Sequence, residues 1–161
     1  MKSLAIDYRN PFSTSDTERF AIWELLVRRD FEAFLRQDWE AVGGDYIAEK
    51  FYGIDFQKST NCSDWKLGYP SLEAYRMAWL RDSAQFSQTP FCVDPRNVLY
   101  ACCRLEHWDL QCDTGIVHKV FDGSLPVHGT YPMALRWRSI FLLRRSEALW
   151  KIAGFVGYMP L

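Results

Sequence analysis

Along the first part of the chain, Phe20, Trp23, Leu26, Val27, Phe31, Phe34 and Leu35 recur at helical spacing and predict a helix over residues 16–37. Ser15 followed by Glu18 reads as a capping box at its start, and the acids Asp16 and Glu18 suit the positive end of the helix dipole. Asp38 can cap a short second helix, WEAVGGDYI, which the Gly43-Gly44 pair weakens or ends. EKFYGIDFQ is aromatic and carries the β-branched Ile54, so it reads as a strand, and 57–70 reads as a loop. Ser71 then caps a third helix, LEAYRMAWLRDSAQF, with Leu72, Tyr75 and Trp79 on one face. The second half is a strand meander. NVLYACCRLEHWDL and GIVHKVFDGSL flank a tight turn at CDTG, and MALRWRSIFLLRR and LWKIAGFVGYM are joined at SEA. Helices first and long antiparallel strands afterwards predict an α+β domain with its helices on one face. Residues 1–14 read as a polar N-terminal arm and 15–161 as a single domain.

The bulk numbers remove several function classes. A chain of 161 residues can bury a core without staples. Its 19 basic and 20 acidic residues leave no electrostatic footprint for nucleic acid or a membrane surface. The five cysteines form no CxxC pair, and His107, His118 and His128 fit no ligand spacing, so no metal is expected. With no apolar run of membrane length, the chain reads as a cytoplasmic protein with reduced thiols. It has no Gly-rich phosphate loop and no nucleophile elbow, which argues against nucleotides and against hydrolysis through a covalent intermediate. The 7 Trp, 8 Tyr and 11 Phe suit an apolar small-molecule cavity, and equally a large core or a subunit interface.

The helix exit Gln37-Asp38-Trp39 and the closing strand with Trp150, Lys151, Ile152, Ala153 and Gly154 occur in the order typical of a known group. Over about residues 15–160 the chain resembles the nuclear-transport-factor-2-like superfamily, in the manner of its SnoaL-like branch of small bacterial proteins. The resemblance implies a curved antiparallel or mixed sheet wrapped around the long N-terminal helix, a cone-shaped α+β barrel with an internal pocket. Members include ketosteroid isomerases, scytalone dehydratase, polyketide cyclases and epoxide hydrolases, together with binding and multimerisation modules, so the fold alone does not settle function.

Asp30 is the first candidate. It lies on the apolar stripe of the first helix, seven residues after Trp23 and four before Phe34. An unpartnered carboxylate there is costly to bury, so Asp30 either reaches solvent, pairs with an arginine, or is tuned for chemistry. The isomerases place a catalytic tyrosine near this position, and the resemblance implies a neutral Asp30 donating to an oxyanion. Asp55 shares a strand face with Phe51 and Gly53, and the isomerases carry their general-base aspartate within a residue of it. His118 is the third catalytic candidate, facing His107 or Asp109 across the hairpin according to a register the sequence leaves open. Alternation on RWRSIFLLRR puts Trp137, Ser139, Phe141 and Leu143 on the concave face, with Arg136 and Arg138 opposite. Phe34, Phe51, Trp79, Tyr100, Trp137, Ser139 and Phe141 are the expected ligand-lining set.

Two functions stay open on this reading. One is a cofactor-free isomerase, dehydratase or cyclase acting on a small hydrophobic or aromatic compound. The other is a non-catalytic binding or oligomerisation module. A homodimer formed through the sheet is expected in either case.

Overall fold

In the computed structural model, which describes residues 8–161, six strands form one curved mixed sheet in the order β2-β1-β6-β5-β4-β3. The sheet is open: β2 and β3 are its two edges and do not pair with each other. The expected cone is therefore a half-wrapped sheet rather than a closed barrel. Strand β1 (Tyr52–Asp55) runs parallel to β6 (Leu149–Met159), while β2 (Lys66–Tyr69), β3 (Cys103–Gln111), β4 (Thr114–Leu125) and β5 (Met133–Ser146) pair antiparallel with their neighbours.

The long first helix runs from Thr17 to Arg36 as α1 (Thr17–Trp23), a π-helical stretch (Glu24–Arg29) and α2 (Asp30–Arg36). Its cap is Asp16, whose side chain accepts from the Arg19 N–H, and Ser15 instead bonds Ser13. The cap predicted at Ser15 is thus displaced by one residue and is not a box, because Glu18 accepts from Arg145 and Trp150 instead. Ile22, Leu25 and Leu26 pack on the inner face of the sheet against Val117, Leu143 and Trp150. Trp23, Val27 and Phe31 pack on the other side against Leu99, Phe121 and Leu125. Residues 8–14 of the predicted arm are docked on the fold: Asn10 bonds the Phe20 carbonyl and Arg28 bonds that of Tyr8. Residues 1–7 lie outside the described part.

Helix α3 (Leu72–Gln88) follows the sequence reading, with Ser71 accepting from the Ala74 N–H. Two elements depart from it. β2 lies inside the segment expected to be a loop. Residues 97–102, expected to open a strand, belong instead to helix α4 (Pro95–Cys102), because Asp94 caps the Arg96 N–H and Pro95 occupies the first turn. Both predicted hairpin turns are present. The β5–β6 turn has Glu147 at φ 52° and Ala148 at φ 65°, a two-residue primed turn whose twist matches its strands.

Candidate functional site

Helices α2 and α3 stand over the inner face of β4, β5 and β6 and leave a cavity of about 380 Å³ between them. Aromatic side chains make up about half of its wall. Phe34 and Trp79 meet edge to face at 5.4 Å, Phe121 stacks on Trp137 at 4.6 Å, and Phe141 adjoins Phe155 at 5.8 Å. The rings suit a ligand with an apolar or aromatic body.

The polar centre is an ion pair that spans the core. Lys119 lies mid-strand in β4 with its side chain pointing inward, flanked on that face by Val117 and Phe121. Its Nζ is 2.6 Å from Asp30 Oδ2 and also donates to the Leu26 carbonyl. The π-helical stretch prepares this acceptor. At its end the Asp30 N–H bonds Val27 O, and the helix wall turns the Leu26 carbonyl towards Lys119. The ammonium also lies 4.7 Å from the ring of Phe31 and 5.4 Å from that of Phe121. Lys119's side chain is 5% exposed and Asp30's 30%, so the carboxylate is the more accessible half of the pair from the cavity.

The remaining polar groups are neutral or sit at the open end. Burial pushes the Tyr75 and Tyr158 hydroxyls well above the usual phenol range, so both stay protonated donors. Ser139 Oγ accepts from the Tyr158 N–H at 3.3 Å. Asp82 lines the cavity and pairs with the neighbouring Arg81 at 2.9 Å. Lys58 reaches over the Trp137 ring at 4.6 Å.

Of the residues singled out from sequence, Asp30, Phe34, Trp79, Trp137, Ser139 and Phe141 line this cavity. Four do not. Phe51 is buried in the neighbouring core beside Tyr46, Tyr75 and Phe155. Tyr100 sits on α4 and donates to Glu32 at 3.0 Å. Asp55 closes a turn by accepting from the Gln57 N–H at 2.7 Å. His118 lies on the outer face of the sheet, because alternation that turns Lys119 inward turns its neighbour outward. There it opposes Glu106, and its ring is 4.8 Å from that of His107. A bulge in β3, with His107 at φ 53°, brings the two imidazoles together. Desolvation, then His107 and Arg138, lower the pKa of His118. Arg136 pairs with Asp122 at 3.4 Å, and Glu106 with Arg104 at 3.0 Å.

Lys119 and Lys58 escaped the sequence reading. Lys119 lies between Val117 and Phe121, but His118 lies between Ile116 and Val120, so the pattern of β4 alone leaves open which of the two faces inward. Lys58 sits in an irregular segment and left no periodic signal. Among the described residues no group of three or more His, Cys, Asp or Glu side chains converges to hold a metal.

No family profile matches the chain, and no curated protein matches it in sequence. Solved structures do resemble it. An NTF2-like protein of unknown function from Pseudomonas putida superposes with a TM-score of 0.57 at 14% identity, covering 89% of this chain and 84% of its own. One from Silicibacter pomeroyi, also of unknown function, gives 0.51 at 15%, covering 90% and 97%. A Nostoc punctiforme domain of unknown function with a cystatin-like fold gives 0.53 at 14%, covering 93% and 80%.

Proposed function

From an NTF2-like fold with an apolar cavity, we propose that this protein binds a small hydrophobic or aromatic compound and acts on it by cofactor-free acid–base chemistry. Isomerisation, dehydration or cyclisation is the class of reaction this chemistry fits. The observation that carries the proposal is the Asp30–Lys119 pair at 2.6 Å in a cavity whose wall is about half aromatic. A carboxylate in such a site can take a proton from carbon next to a carbonyl. The ammonium beside it can donate to the oxygen on which negative charge develops. The base is thus Asp30 rather than Asp55, and the donor is Lys119 rather than a neutral carboxyl. The test is incubation with enolisable cyclic ketones such as β-tetralone in deuterated buffer, reading exchange at carbon by NMR. The wild type should exchange and Asp30→Asn should not, and equal exchange by the two proteins refutes the reaction.

The second reading is a binding module without catalysis, favoured by the completeness of the same pair. Two charges that satisfy each other at 2.6 Å form a stable structural unit without any substrate. Ligand retained in native mass spectrometry, with no exchange at carbon, would select it.

We propose further that the outer face of the sheet joins a second copy. Ile140 and Leu142 alternate with the inward Ser139, Phe141 and Leu143, and they adjoin Val156 and Ile116 in the paired strands. This apolar strip, with Ile116 40% exposed, would be covered in a homodimer. Light scattering on the wild type and on Ile140→Glu would show a dimer and a monomer, and a wild-type monomer ends the idea.

A further inference from the structure

The charges around the cavity cancel except at one point. Asp30 is matched by Lys119 and Asp82 by Arg81. Among the described residues Lys58 has no carboxylate partner, and its ammonium rests on the face of Trp137, 4.6 Å from the ring centre. Lys58 is exposed whereas Lys119 is buried, so Lys58 marks the open end of the cavity and Lys119 its sealed end.

The backbone around Lys58 is built to hold it there. Gln57 and Lys58 have φ 51° and 57°, a left-handed pair that L side chains resist. Asp55 fixes the first through its bond to the Gln57 N–H, and the Lys58 N–H donates to the Tyr158 carbonyl at 2.7 Å. The rest of the loop is closed by Phe56 stacking on Trp65 at 3.9 Å and by Ser59 bonding Asp64 at 2.6 Å. Asp55 is therefore a positioning residue for Lys58.

We infer that the cavity takes a small apolar or aromatic monoanion, a carboxylate or sulfonate, with its ring system inside the cavity and its anionic group on Lys58. The inference rests on the ligand-binding part of the proposed function. A single unmatched cation at the mouth of a charge-balanced cavity selects one negative charge. A neutral ligand would gain the apolar contacts and leave the ammonium idle.

Two fluorescent probes with one skeleton separate the outcomes: anilinonaphthalene sulfonate, an anion, and N-phenylnaphthylamine, its uncharged analogue. In titrations of the full chain, the sulfonate should bind roughly fivefold tighter than the amine relative to their ratio for Lys58→Met, and the gap should shrink with added salt. Lys50→Met, at an exposed lysine away from the cavity, should behave as wild type. If both probes bind the wild type and Lys58→Met with the same ratio, the monoanion inference is wrong and the cavity reading stands. If neither probe binds, or if filling the cavity by Ala78→Trp leaves binding unchanged in a protein with wild-type circular dichroism, the cavity reading itself is overturned, and the inference with it.

Discussion

Lys119 Nζ sits 2.6 Å from Asp30 Oδ2, tying the middle of β4 to the first residue of α2 across 89 positions of sequence. The pair is what lets each charge stay inside. Either side chain alone would have to be desolvated among Phe31, Phe121 and Phe141 without compensation. Together they exchange two desolvation costs for one short charge-assisted bond and a backbone carbonyl contact.

It follows that removing one partner is worse than removing both. Lys119→Met should leave Asp30 facing aromatic rings and cost about 2–4 kcal/mol, at the lower end of losses for broken buried pairs because the carboxylate is 30% exposed. The melting temperature should fall by roughly 5–12 °C. Adding Asp30→Leu to Lys119→Met should recover at least half of that loss. Urea unfolding of both variants reads this directly, and a double variant less stable than the single one contradicts it.

The sequence showed the helix stripe, the hairpins and the inward row of β5 because each is periodic in apolar side chains. Alternation puts Trp137, Ser139 and Phe141 on the inward row of β5, and all three line the cavity. What it could not show depends on register across strands. His118 and Lys119 are neighbours, and only the pairing of β4 with β3 and β5 determines which of them faces the helix. Asp55 lies on β1 as its pattern predicts, but at the end of the strand, where a turn claims its carboxylate. The helix at 95–102 was legible locally, in Asp94-Pro95, and was masked by the apolar run that follows.

The cysteines divide into reactive and silent sets. Cys62, Cys92 and Cys112 are exposed, whereas Cys102 and Cys103 are partly covered. Desolvation raises both covered thiols, Cys103 to about 12, so little thiolate forms at neutral pH. Iodoacetamide at pH about 8, near the ordinary thiol pKa, should label the three exposed thiols within minutes. Cys103 should remain unmodified until the protein is unfolded, as read by peptide mass spectrometry. Labelling of Cys103 at the rate of Cys62 would contradict its burial.

Gly154 marks a close approach in the parallel pairing of β1 and β6. It lies opposite Tyr52, and a Cβ added to it would stand 2.6 Å from the Tyr52 carbonyl oxygen. That neighbour is backbone and cannot turn aside, so Gly154→Ala should cost about 1–3 kcal/mol and displace β1. Gly44→Ala, where nothing lies within 4 Å, should stay within about 0.5 kcal/mol of wild type. Thermal melts of the two alanine variants should therefore differ by several degrees, and coincident melts would show that β1 yields freely.

His118, on the outer face, gives stability a definite pH slope. His118 faces His107 and Arg138, which disfavour its protonation, and Glu106, which favours it; Glu106 is shared with Arg104. The net result, led by desolvation, is a folded-state pKa below the ordinary 6.5. The unfolded chain therefore binds more protons than the native one in the window just below that value. Stability is full above it and declines as pH falls from there through the depressed native pKa. The urea midpoint of the wild type should accordingly drop between about pH 7 and pH 5. His118→Gln should flatten that decline, and His107→Gln should lessen it by removing one of the opposing charges. An undiminished slope in His118→Gln would assign the pH dependence to other groups.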